Sequence, residues 1–99
     1  MYKSILVEQK ESILKITLNR PEVFNAFNKE MLFELKEVFK IASDNSAIRC
    51  VLLTGIGNAF CTGQDLKDFN EEQITFKEVL EQRYNPLIKD ITNLSKPVI

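Results

Sequence analysis

The sequence predicts one α/β domain of 99 residues, with two strands, a helix, a third strand and a second long helix. Three patterns carry this prediction. Apolar and polar residues alternate through residues 12–19, apolar residues recur at helical spacing through 31–42, and an apolar run follows at 50–53. With 44% hydrophobic and 27% charged residues, the composition is that of a globular protein, which excludes disorder and fibrous repeats.

The first two elements are predicted strands at residues 4–8 and 12–19. The alternation in the second is the period of a strand with one buried face. The short polar segment between them predicts an antiparallel hairpin. Pro21 ends the second strand because proline has no backbone donor for the ladder.

The next element is a helix with a single apolar stripe. Either Asn25 or Asn28 can cap its start, and residues 43–46 end it with turn-forming side chains. The stripe, at positions i, i+1, i+4, i+7, i+8 and i+11, consists of Met31, Leu32, Leu35, Val38, Phe39 and Ala42. This spacing predicts packing against the core.

Ile48 and the run at 50–53 predict a strand covered on both faces, and hence a sheet with helices packed over it. Cys50 lies in this run and Cys61 lies beside Phe60. Both are expected to be reduced, buried thiols, as is usual in a reducing compartment.

A long helix is predicted to open at Thr75, since Thr75 and Glu78 have the spacing of a capping box. Its apolar face comprises Phe76, Val79, Leu80, Leu87, Ile88 and Ile91, with Tyr84 at the edge. Pro86 is expected to kink or divide the helix. Residues 96–97 end it, and residues 98–99 predict the start of another buried strand.

Composition excludes several classes of function. Lys plus Arg number 13 and Asp plus Glu number 14, so the chain lacks the basic excess of a nucleic-acid binder. There is no His, and two isolated cysteines make a poor zinc site, so no metal is expected. Neither a signal peptide nor an apolar run of about 20 residues is present, which predicts a cytoplasmic protein with no membrane partner.

Residues 54–66 are the segment whose residues suggest a functional site. They leave a strand and enter a predicted short helix with Asp65 as its cap, an arrangement that directs free N–H groups toward an anion or a developing oxyanion. Three interpretations remain open from the residues alone. Gly55 and Gly57 begin a dinucleotide pattern, but Phe60 occupies the place of its third glycine. The glycines can instead serve only the turn, or the backbone can form an oxyanion site.

Three blocks of sequence support the third interpretation. They are Asn-Arg-Pro at 19–21 with Asn-Ala at 25–26, Ala-Phe-Cys-Thr-Gly-Gln-Asp-Leu at 59–66, and Ser-Lys-Pro-Val-Ile at 95–99. In order, spacing and residue type they resemble the N-terminal part of the crotonase (enoyl-CoA hydratase/isomerase) family, and the match covers the whole chain.

Two tetrapeptides refine this resemblance. Gly-Gln-Asp-Leu at 63–66 and Tyr-Asn-Pro-Leu at 84–87 are most similar to the ring-1,2-epoxyphenylacetyl-CoA isomerases of bacterial phenylacetate breakdown. The resemblance implies the N-terminal part of a ββα spiral fold, with residues 1–99 as one domain truncated at the start of a strand. It also implies an acyl-CoA ligand, an enolate stabilised in an oxyanion hole, and no cofactor beyond the coenzyme A of the substrate. A 2-enoyl-CoA hydratase and a short non-enzymatic module that binds CoA or a partner chain are the alternatives.

The resemblance also assigns residues. The backbone N–H of Gln64 matches the first oxyanion donor, and because that donor is backbone, its side chain is free to vary. Phe24 and Ala26 resemble residues along the adenine and pantetheine path. The residues expected to shape the thioester pocket are Thr62, Gly63, Asp65 and Leu66.

The remaining machinery is expected beyond Ile99, namely the second donor and the carboxylate that moves protons. The 99 residues alone are therefore expected to be inactive, and the full-length protein is expected to form trimers or hexamers. Arg20 is interpreted as a surface charge or a phosphate contact. The acidic residues Asp68, Glu71 and Glu72 are interpreted as a solvated face.

Overall fold

A computed structural model describes residues 2–66 and 75–99 of the chain. Its sheet contains β1 (Ile5–Lys10), β2 (Ile13–Leu18) and β3 (Cys50–Gly55), in that order across the sheet. β1 and β2 pair antiparallel, as predicted for a hairpin, whereas β2 and β3 pair parallel. The hairpin turn places Glu11 in the left-handed region with φ 56°.

Helix α1 (Lys29–Asp44) connects β2 to β3 and covers one face of the sheet. All six residues of the predicted stripe are buried. Asn28 is the cap, since its side chain accepts the Met31 N–H at 2.9 Å, and Asn25 is not. At the other end, Lys96 Nζ donates to the carbonyls of Ala42 and Asn45, two acceptors that a helix C-terminus leaves exposed.

Strand β3 differs from the prediction. Of its six residues only Val51 is buried, because α1 packs on one face of the sheet and no described residue covers the other. The predicted start of a further strand is confirmed: Ile99 N–H donates to Val51 O at 2.9 Å, beside a parallel bridge from Val98 to Val51. Val98 packs against the core, and Ile99 is 73% exposed.

The second long helix is divided into α2 (Phe76–Val79), a π turn (Leu80–Tyr84) and α3 (Asn85–Asn93). The predicted capping box forms, with Glu78 N–H donating to Thr75 Oγ1 at 3.1 Å and Thr75 N–H to Glu78 Oε1 at 3.4 Å. The predicted division at Pro86 is also confirmed. Asn85 N–H donates to Leu80 O, five residues back, which widens the turn ahead of the proline ring.

The π turn changes which residues face the core. Val79 and Leu87 are buried as predicted, and Tyr84 and Ile91 pack against the core. Leu80 and Ile88 were expected on this face but are 40% and 57% exposed. The expectation assumed an uninterrupted α-helix, and the extra residue in the π turn moves Leu80 off the face that it would share with Leu87, seven positions on. Ile88 lies in the regular helix α3 and faces away from the core. The side chain of Phe76 lies outside the described part of the chain.

A single apolar core lies between the sheet and the helices. β2 and α1 supply most of it, and Ile5, Ile48, Val51 and Leu87 complete it. The thiols of Cys50 and Cys61 are free, as expected, but half-buried. Within residues 2–66 and 75–99, no helix combines the length and apolar character needed to cross a membrane.

Candidate functional site

Two loops meet at one edge of the sheet. Residues 19–27 follow β2 and residues 56–66 follow β3. Because these strands are parallel, their carboxyl ends lie at the same edge. The two loops are therefore neighbours in space, and most of the residues predicted to bind a ligand lie on them.

Asn25 joins the two loops. Its side chain is completely buried and accepts the Arg20 N–H at 2.8 Å. Its amide nitrogen donates across to the carbonyls of Ile56 at 3.0 Å and Ala59 at 2.8 Å. Phe24 and Asn25 both have positive φ, 52° and 60°, a conformation that asparagine tolerates and phenylalanine rarely adopts. The hydrogen bonds of Asn25 therefore hold a strained turn in place.

Arg20 forms a second connection between the loops. Its Nη1 donates to Ala26 O at 2.6 Å, and its Nη2 lies 3.0 Å from Asp65 Oδ2. The side chains of Arg20 and Asp65 are each only 16% exposed. The expectation of a solvated surface charge at Arg20 is therefore wrong, because its guanidinium is engaged within the fold.

Gly55 allows the second loop to fold back on itself. A Cβ at this position would lie 2.5 Å from Phe60 O and 2.7 Å from Ala59 O, both backbone atoms that a substitution cannot displace locally. Gly57 has φ 82°, which also favours glycine. The backbone geometry of the turn is therefore sufficient to explain both glycines.

Gln64 is held against Phe27 by two backbone hydrogen bonds. Phe27 N–H donates to Gly63 O, and Asp65 N–H donates to Phe27 O, both at 2.7 Å. These bonds form a parallel bridge in which the peptide carbonyl of Gly63 faces Phe27. The N–H of Gln64 belongs to the same peptide and points the opposite way. Among the described residues no group accepts it.

The remaining predicted binding residues surround this bridge. Thr62 Oγ1 donates to Val23 O at 3.4 Å, and Ala26 is buried. The side chains of Phe24 and Leu66 are 55% and 72% exposed, so both loops present apolar surface. Gly63, with φ 108°, has open space where a side chain would be. Residues 67–74, which include Asp68, Glu71 and Glu72, lie outside the described residues, so the short helix that Asp65 is expected to cap stays a prediction.

Tyr84 contacts Gln64 and Phe27, which the sequence did not predict. Its hydroxyl donates to Gln64 Oε1, and its ring meets that of Phe27 edge to face, with centroids 5.9 Å apart. The Gln64 amide nitrogen donates to Asp65 O at 3.0 Å. The sequence placed Tyr84 at the edge of a helix face, and the nearby Pro86 was the signal that this turn would not be a regular one.

Comparison with known proteins identifies this arrangement. A sequence profile described as enoyl-CoA hydratase/isomerase matches residues 8–99. The chain belongs to the enoyl-CoA hydratase/isomerase family. The resemblance to this family is thereby confirmed.

The chain also resembles individual family members. It is 42% identical to a 1,2-epoxyphenylacetyl-CoA isomerase of Escherichia coli over 100% of its own length and 39% of that protein. The structure of an enoyl-CoA hydratase from Mycobacterium smegmatis matches with a TM-score of 0.89 at 35% identity, over 97% of this chain and 38% of that one. For the structure of an enoyl-CoA hydratase from Bacillus anthracis the TM-score is 0.85 at 28% identity, again over 97% of this chain and 38% of that one.

These matches confirm the predicted α/β crotonase-like fold. The chain spans about two fifths of the length of these relatives. The loop pair at Gln64 therefore belongs to the part of the family fold that this chain contains.

Proposed function

We propose that this chain forms the acyl-CoA-binding part of a crotonase-family enzyme and supplies one oxyanion donor, the backbone N–H of Gln64. The orientation of that N–H is the observation that carries the proposal, since it points away from Phe27 and has no acceptor among the described residues. A donor of this kind, aimed at the oxygen of an enolising thioester, stabilises the transition state by about 3–4 kcal/mol.

The donor is well suited to this task because it is already fixed. Both peptides that flank Gln64 are hydrogen-bonded to Phe27, and Asp65 is paired with Arg20. A donor held in place before the substrate arrives requires no reorganisation when negative charge develops. The same contacts keep residues 24–27 beside residues 62–66.

The proposed ligand contacts follow the two loops. Phe24 and Ala26 lie along the path of the adenine and pantetheine groups, and the exposed Phe24 ring offers a surface for stacking. Thr62, Gly63, Asp65 and Leu66 shape the thioester pocket. The open space at the Cα of Gly63 lets a ligand approach the backbone closely.

The proposed reaction is isomerisation of ring-1,2-epoxyphenylacetyl-CoA through a thioester enolate. The 42% identity to the E. coli isomerase supports this choice of substrate. Hydration of a 2-enoyl-CoA is the second candidate, supported by the similarity to the M. smegmatis hydratase. Rapid hydration of crotonyl-CoA by the protein expressed from its native gene would contradict the isomerase assignment.

One donor without a positioned base does not complete either reaction. We therefore propose that residues 1–99 alone bind CoA thioesters but turn them over negligibly. The second donor and the proton-transferring carboxylate are assigned to family segments beyond Ile99, as is assembly into trimers or hexamers. The enzyme is proposed to be cytoplasmic and to need no cofactor beyond the coenzyme A of its substrate.

The role of the Gln64 backbone donor is tested by a substitution that removes its N–H, compared with one that removes only its side chain. In the protein expressed from its native gene, Gln64→Pro eliminates this N–H and is expected to lower kcat/KM by about 100- to 1,000-fold. Gln64→Ala keeps the N–H and serves as the matched control, with at most about a tenfold loss. Equal losses in the two variants would contradict the proposal.

A second measurement guards against misfolding of the proline variant. In the unmodified protein, a saturating CoA thioester is expected to shift the amide proton resonance of Gln64, while free coenzyme A shifts it much less. An unchanged Gln64 resonance with bound thioester would also contradict the proposal.

A further inference from the structure

We propose that Tyr84 is a positioning residue for the oxyanion donor, holding the Gln64 side chain so that the Gln64 N–H keeps its direction. This inference rests on the function proposed for Gln64. It assigns a role to a tyrosine that no part of the proposed reaction otherwise requires.

The Gln64 side chain is fixed at both of its polar atoms. Tyr84 OH donates to Oε1, and Nε2 donates to the carbonyl of Asp65 at 3.0 Å. A glutamine side chain has three rotatable bonds and loses considerable rotamer freedom when it is held in this way. With its backbone bonded to Phe27 and its side chain to Tyr84, Gln64 is constrained from two sides.

Tyr84 contacts both partners of the bridge that orients the donor. Its hydroxyl reaches Gln64, and its ring lies 5.9 Å from the Phe27 ring at an interplanar angle of 76°. Aromatic pairs in this edge-to-face geometry attract each other. One side chain therefore links the two loops at the point where the donor is oriented.

The tyrosine is itself presented by a rigid element. It is the last residue of the π turn (Leu80–Tyr84), with the buried Val79 before that turn and the buried Leu87 after it. π turns occur frequently at functional sites because they move one side chain out of regular helical register. The turn is thus anchored at both ends while it directs the Tyr84 hydroxyl at Gln64.

Removal of the hydroxyl alone separates positioning from packing. Tyr84→Phe retains the ring and its contact with Phe27. In the protein expressed from its native gene, we expect kcat to fall about three- to tenfold with KM nearly unchanged, because the lost contact acts in the transition state. Tyr2→Phe is the matched control, since it also removes a phenolic hydroxyl, in this case one near Glu37 on a different part of the molecule.

A double-mutant cycle tests whether the effect passes through Gln64. Gln64→Met removes both polar atoms of the side chain while keeping its length and its backbone N–H. If Tyr84 acts through this side chain, the double variant is no slower than the slower single variant. Fully multiplicative losses in kcat would overturn the proposal.

An amide measurement distinguishes failure of this inference from failure of the proposed function. Without any ligand, Tyr84→Phe is expected to accelerate hydrogen exchange severalfold at the Asp65 N–H, which is hydrogen-bonded to Phe27 O in the bridge, whereas Tyr2→Phe leaves it unchanged. A protein that neither binds nor converts CoA thioesters would refute the proposed function. A Tyr84→Phe variant with wild-type kcat and wild-type exchange at the Asp65 N–H, in a protein that is active, would refute the positioning role alone.

Discussion

The core between β2 and α1 and the loop pair around Gln64 are held together in different ways. The core consists of apolar side chains such as Ile16, Met31 and Phe39, each at most 1% exposed. The loop pair depends on Asn25, which is completely buried, and on the ion pair between Arg20 and Asp65. One region is stabilised by many weak contacts and the other by a few directional ones.

This difference determines how each region responds to change. Apolar burial stabilises by about 25 cal/mol per Å², spread over many atoms, so loss of one methylene has a limited effect. A buried hydrogen-bonding group that loses its partner costs the full desolvation penalty. Small substitutions in the loops should therefore cost more than small substitutions in the core.

The largest effect is expected for Asn25→Ala. It leaves the Arg20 N–H and the carbonyls of Ile56 and Ala59 without their partner, which should lower the free energy of unfolding by about 3 kcal/mol. Asn28→Ala is the matched control, because it removes a helix cap and should cost about 1 kcal/mol. Urea unfolding followed by circular dichroism measures both. Equal losses would mean that the loop pair is no more sensitive than a helix end.

Arg20→Met should come next, with a loss of about 2 kcal/mol, since its guanidinium makes two charge-assisted contacts in a partly buried site. The control is Lys77→Met. Lys77 and Glu81 are 82% and 59% exposed and 3.9 Å apart, so removal of this pair should change stability by less than about 0.5 kcal/mol. The same urea titration applies, and a loss at Arg20 no greater than at Lys77 would contradict a structural role for the guanidinium.

Ile16→Val tests the core side of the comparison. It removes one methylene from a fully buried residue and should cost about 1 kcal/mol. Ile13→Val makes the same change where the side chain is 45% exposed, and should be nearly neutral. Thermal unfolding measures the pair, and a cost at Ile16 above that of Asn25→Ala would reverse the comparison.

The smallest effect on the free energy of unfolding is expected from the titration of Tyr2 at alkaline pH. Burial, together with the carboxylates of Glu37 and Glu34, raises the pKa of the Tyr2 phenol above its ordinary value of about 10. The folded state therefore keeps this proton at a pH where the unfolded chain has lost it. Its contribution is complete below the unfolded pKa and is lost as the pH rises through the folded pKa.

Tyr2→Phe should therefore flatten the alkaline decline in the free energy of unfolding. Urea titrations at about pH 8 and pH 11 measure it, with both proteins sharing every other titrating group. An identical decline in both would show that Tyr2 does not contribute.

The sequence predicted the core side of this comparison well. The α1 stripe, the hairpin, the capping box at Thr75 and the strand start at Val98 all follow from periodicity or local chemistry. Patterns of this kind are repeated over several residues, so one irregular position does not hide them. The resemblance to crotonases located the Gln64 loop by its residue order.

The sequence predicted the contacts of the loop pair poorly. Asn25 was one of two possible caps and Arg20 a surface charge or a phosphate contact, because the partners of each in the second loop lie 31 to 45 residues away along the chain. Long-range hydrogen bonds leave no periodic trace in a sequence. The outward position of Leu80 was missed for a related reason, since a π turn breaks the helical period that the prediction assumes.

The π turn also makes the position of Tyr84 depend on chain length. Deletion of one residue from Leu80–Tyr84 would restore an ordinary α-helix in which Val79 and Leu87, then seven positions apart, still share the buried face, while the side chains of the turn itself would take new directions. Every amino acid type at the site could stay the same while the hydroxyl turned away from Gln64. Single-residue insertions and deletions in this helix are thus a route by which related chains can diverge without substituting a single residue of the site.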